Sequence, residues 1–94
     1  MTDKLQNDIN RGHRAKALLA DDLVVEARAH IESELWRLFK EAVPSDTKTL
    51  EFLKAMQYFH GKYFTYFEKA VIDGKLAAIN LEAQKKTLRD RIFG

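Results

Sequence analysis

A single proline, Pro44, interrupts 94 residues that otherwise hold only four glycines and no long β-branched run. Such a chain has few places to turn sharply and little preference for strands, so helices are expected throughout. A length near 100 residues allows one hydrophobic core, so residues 1–94 are read as a single all-helical domain. A core that small buries a modest share of its chain, and association with further copies is the expected supplement.

The breaks divide the chain into segments. Asp3 is placed to cap a first helix over about 3–20, with Leu5, Ile9, Gly12, Ala15 and Leu19 on one stripe. Gly12 there either admits a close helix neighbour or kinks the helix. Asp21 or Asp22 caps a second helix, whose Val24, Ala27, Ile31, Leu35, Leu38 and Ala42 recur at steps of three and four. That helix is expected to stop at Val43, because a proline disfavours helical geometry in the residue before it. Ser45-Asp46-Thr47 then supplies capping chemistry for the third.

The third helix is expected over 47–72. Leu50, Leu53, Met56, Phe59, Tyr63, Phe67 and Ala70 share one face, widened by Phe52, His60, Phe64 and Val71. Asp73-Gly74 reads as its C-terminal stop, the glycine supplying the left-handed residue that closes many helices. A fourth helix over about 75–92 is alanine-rich and then charged. Glu82 with Lys86 and Lys86 with Asp90 are supporting pairs, and Lys85 with Arg89 is a repelling one. The expected fold is therefore all-α: an antiparallel helical hairpin over 22–72, with N- and C-terminal helices packed on it and an oligomeric state overall.

Charge is nearly balanced at +2, which does not by itself call for a nucleic-acid partner. Its distribution is uneven. Residues 21–46 carry seven acids against three bases, a net of −4, and the flanking stretches are basic. The basic residues near the ends, Lys4, Arg11, Arg14 and Lys16 on one side and Lys85, Lys86, Arg89 and Arg91 on the other, are candidate phosphate contacts if the termini converge. A solvated charged face is the alternative reading.

No cysteine is present, so a disulfide framework, a thiolate zinc site and a cysteine nucleophile are all excluded. Neither Gly61-Lys62 nor Gly74-Lys75 completes a phosphate-binding loop, and no serine has a base and orienter in a legible arrangement. No cofactor is expected. The start, Met1-Thr2-Asp3-Lys4, lacks an apolar stretch of signal type, and no window approaches a membrane span, so a cytoplasmic chain is expected. One metal constellation deserves weighing. Glu26, His30 and Glu34 stand four apart on one helix flank, with His60 on the next helix, as in ferritin-like hairpins. The Glu-x-x-His signature of those centres is here Gln57-x-x-His60, and an amide is a poor ligand in place of a carboxylate.

The densest feature is aromatic: seven of ten aromatic residues lie between Phe52 and Phe67. One stripe cannot bury them all. Tyr58, Tyr63, Phe64, Tyr66 and Phe67, with Trp36 from the second helix, are the candidate protein interface, since large rigid rings anchor interfaces. Core packing alone and stacking of single-stranded bases are the alternatives.

Asn10-Arg11-Gly12-His13-Arg14-Ala15 with Leu18-Leu19, Glu26-Ala27, Asp46-Thr47 and Gly74-Lys75-Leu76-Ala77 resemble a group of short helical proteins of tailed bacteriophages and prophages, over residues 10–80. The resemblance implies a non-enzymatic accessory of packaging or the virion, or an inhibitor docking on a host protein, in the host cytoplasm or the virion. It transfers no site residues. A nucleic-acid-binding role in packaging or regulation and a metal-binding hairpin are the competing expectations.

Overall fold

The computed structural model describes residues 2–93, which form three helices and no strand: α1 (Thr2–Ala20), α2 (Asp22–Glu41) and α3 (Thr47–Phe93). The 47 residues of α3, at about 1.5 Å each, span roughly 70 Å, and the molecule is 71 × 26 × 17 Å. One helix therefore sets its whole length.

The other two helices lie end to end along α3, both antiparallel to it. Gly12 meets Gly74, while Leu19, later in α1, lies beside Glu68, earlier in α3. Farther down, Arg28 of α2 reaches Glu68, Glu32 reaches His60, and Leu35 shares a groove with Leu50 and Leu53. Only Asp21 separates α1 from α2. Its extended backbone breaks the helix, and its Oδ1 accepts from the N–H groups of Leu23 (3.0 Å) and Val24 (3.2 Å), satisfying donors that a helix start leaves open. At the far end α2 stops at Glu41, two residues earlier than expected, with Ala42 as an extended C-cap. Asp46 then opens α3, accepting from Thr49 N–H (3.2 Å) and Thr49 Oγ1 (2.6 Å), and these bonds hold its carboxyl below the usual aspartate range. The expected cap Asp3 instead sits in the first turn of α1.

Two expectations are overturned together, the helix stop at Asp73-Gly74 and the separate fourth helix over about 75–92. Asp73-Gly74 does not end a helix: α3 runs straight through it, and no described glycine has a positive φ. Gly74 serves another purpose, because α1 and α3 cross backbone to backbone there. A Cβ on Gly74 would stand 2.9 Å from Gly12 Cα and 3.0 Å from the Asp8 carbonyl oxygen. A cost of about 1 kcal/mol for glycine inside a helix is offset by the close packing it permits.

The 22–72 segment holds only part of the core, and the closest packing is between α1 and α3. Gly12, Ala15, Leu53, Phe64, Ala70, Gly74 and Ala77 are the buried residues among those described, and α2 contributes none. Ala27 of the expected α2 stripe is exposed, and Arg28 is the neighbouring residue turned toward α3. Phe64 is capped by the Arg28 guanidinium, 4.4 Å from its ring centre, and by the His60 ring edge at 5.0 Å. Arg28 bonds Glu32 (3.3 Å) and Glu68 (3.2 Å) in the same place, so a charged network closes the α2–α3 seam.

Candidate interaction surfaces

The apolar arc of α3 divides into two lines of side chains. The first runs Leu50, Leu53, Gln57, His60, Phe64, Phe67, Val71, Gly74, Ala78 and Leu81, alternating steps of three and four. Such spacing repeats every 3.5 residues and keeps one seam facing a helical neighbour. Here α2 and then α1 cover it.

The second line runs Phe52, Met56, Phe59, Tyr63, Tyr66 and Ala70 with the same alternation. From Ala70 onward α1 covers it, leaving Ala70 and Ala77 buried. From Phe52 to Tyr66 no described helix is seated on it: Phe52, Phe59, Tyr63 and Tyr66 are all more than 60% exposed, and Met56 is 44% exposed. The rings are braced within α3, since Tyr63 meets Phe67 edge to face at 5.1 Å and Tyr66 meets it at 5.8 Å. The Tyr66 hydroxyl also accepts from Arg11 Nη2 at 3.1 Å. A braced aromatic side chain loses little freedom when a partner covers it.

Of the six expected interface residues, Tyr63 and Tyr66 lie on this line. Phe67 is half-buried beside it. Phe64 belongs to the core, which corrects its assignment to an interface. Tyr58 is exposed off the line, with Lys62 Nζ 5.5 Å above its ring. Trp36 is exposed on α2, stacked on Phe39 at 5.8 Å, at the edge of a groove of about 470 Å³ between α2 and α3 floored by Leu50 and Leu53. Phe52, Met56 and Phe59 escaped the sequence assignment, although their spacing of four and three was legible.

The candidate metal ligands are not brought together. His60 Nε2 faces Glu32 Oε1 at 3.4 Å, rather than Glu26 or Glu34. Glu34 is held by Arg37 at 2.8 Å, a hydrogen bond that lowers its carboxyl below the usual range and raises the guanidinium. Among the described residues no three His, Asp or Glu side chains are placed to share an ion.

The candidate phosphate contacts fall into two places. Arg11 and Arg14 border a cleft with Leu18, Tyr66 and Phe67 near mid-molecule. Lys85, Lys86, Arg89 and Arg91 lie on the last turns of α3, where every described residue from Glu82 onward is exposed. There Lys85 pairs with Glu82 at 3.9 Å, in place of the expected Lys86. Among the described residues no helix is long and apolar enough to cross a membrane.

No protein-family model, curated protein or solved structure matches the chain.

Proposed function

We propose that the chain is a non-enzymatic protein-interaction module that assembles with copies of itself through the uncovered Phe52–Tyr66 line of α3. The observation that carries this reading is that line itself: five large apolar side chains at coiled-coil spacing, with no helix seated on them. The amount of free surface supports it. The chain exposes 7857 Å², against roughly 5,600 Å² for a compact chain of this mass. Its radius of gyration is 20.6 Å, against about 12 Å for a compact domain of this length. A stable interface takes on the order of 800 Å² from each partner, so the surplus accommodates one or more. The phage resemblance sets such a module among packaging or virion accessories, or among proteins that dock on a host component.

Light scattering after size exclusion tests the reading. The expected result is a dimer or higher species at tens of micromolar, and a monomer for Phe59→Glu with unchanged helix content by circular dichroism. A wild-type monomer across that range overturns it.

A second reading is favoured by the exposed C-terminal turns of α3, which carry Lys85, Lys86, Arg89 and Arg91. These bases would contact nucleic-acid phosphates, and binding would weaken steeply with salt. Affinity that survives neutralising all four rejects this role for them.

A further inference from the structure

Resting on the self-assembly reading, we infer that two copies pair antiparallel, with α3 against α3, over Phe52–Tyr66 alone. The layers are Phe52 on the second copy's Tyr63 and Met56 on the second copy's Phe59, each repeated by the two-fold axis.

The position of α1 decides the direction. The uncovered line continues in register into Ala70 and Ala77, and there α1 already lies on it, with Gly12 at van der Waals limits against Gly74. A parallel partner in register would run its own residues 67–81 through the space that α1 fills. An antiparallel partner leaves in the opposite direction, past the Thr47 end, and needs only the bare half.

The same obstacle sets the stagger. The last turn of α1, with Leu19 and Ala20, lies beside Glu68, Val71 and Ile72. Placing Met56 opposite Phe59 brings Thr47 opposite the second copy's Glu68, so the start of one α3 meets the end of the other copy's α1. A slip of one heptad toward the C-terminus would drive α3 into α1. A slip the other way would strip Tyr63 of its partner.

Antiparallel coiled coils require alternate core positions to face each other across the axis, and this stagger does that. It also sets flexible Met56 between aromatic rings, where a thioether packs well. The contact is isologous, each copy using the same patch, and it closes at two.

The chain has no cysteine, so single cysteines can carry spin labels without background. Lys48, Ala55, Lys62 and Lys69 are exposed, seven residues apart, and flank the line without belonging to it. With the midpoint between Met56 and Phe59, the axial separation of equivalent labels is about 3 Å per residue from that midpoint. Lys48→Cys, Ala55→Cys, Lys62→Cys and Lys69→Cys should give spin–spin distances by pulsed electron resonance whose axial components are about 29, 8, 14 and 35 Å, so that the distances rank as those components do. The profile is a V with its minimum at Ala55. A flat profile from an oligomer overturns the antiparallel pairing and leaves self-assembly standing, as does a minimum at Lys48 or Lys69. A monomeric mass, with no dipolar signal from any of the four, overturns both.

Discussion

Gly12 and Gly74 touch through their backbones, so a Cβ on Gly12 would lie 2.9 Å from Gly74 Cα and 3.0 Å from the Ala70 carbonyl oxygen. Backbone atoms cannot step aside as a side chain can. Gly12→Ala or Gly74→Ala must push α1 off α3, at a cost of about 1–3 kcal/mol for overpacking that exceeds the helix-propensity gain. Denaturant unfolding should show both variants less stable than wild type. An increase in stability would mean that the helices do not meet there.

Gly61 gives the contrasting case within the same helix. A Cβ there meets nothing within 4 Å. Gly61→Ala should therefore raise stability by roughly 0.5–1 kcal/mol through helix propensity and a less free unfolded chain. The pair of experiments separates glycine as a contact from glycine as a weakness.

Phe64 and Phe59 are both α3 phenylalanines and should respond differently. Phe64 is 6% exposed beneath Arg28, so Phe64→Ala should cost about 3–5 kcal/mol, much of the stability of a domain this size. Phe59 is 67% exposed, so Phe59→Ala should leave the unfolding of the isolated chain nearly unchanged and shift the assembly midpoint to higher concentration. Unfolding curves taken far below that midpoint distinguish the two.

Asp46 predicts a pH dependence. Its hydrogen bonds from Thr49 lower its carboxyl pKa on folding, so the cap's contribution is complete above the ordinary aspartate range and fades as pH falls through the lowered folded value. Asp46→Ala should melt at a lower temperature than wild type at neutral pH, and the difference should close in acid. A gap that persists unchanged in acid would place the effect elsewhere.

The starts of α2 and α3 were legible because their chemistry is local. Asp21 and Asp46 each cap the helix that follows through bonds spanning two or three residues, and the spacing around them shows it. Gly74 was misread because glycine serves two opposite ends, closing a helix or admitting a neighbour, and only the approach of Gly12 from 62 positions away decides between them. The aromatic segment was half legible. An apolar arc wider than one stripe is visible in α3, but its division depends on where α1 stops and α2 begins. For that reason Phe64 went under Arg28 while Phe59, five residues earlier, stayed bare. The Arg28, Glu32, His60 and Glu68 network left no sequence signal, since its members come from two helices and span 40 residues.

Because α3 alone runs the full 71 Å, the molecule behaves as a ruler whose graduations are residues. Seven residues inserted near Leu88 would lengthen the exposed end by about 10.5 Å and return the following side chains to nearly the same bearing. Three or four would turn everything beyond the insertion by close to one full revolution, and two would point Arg89 and Arg91 to the opposite side of the rod. Reach and bearing at that tip are thus separately adjustable, a property that a globular domain with folded-back connections does not have.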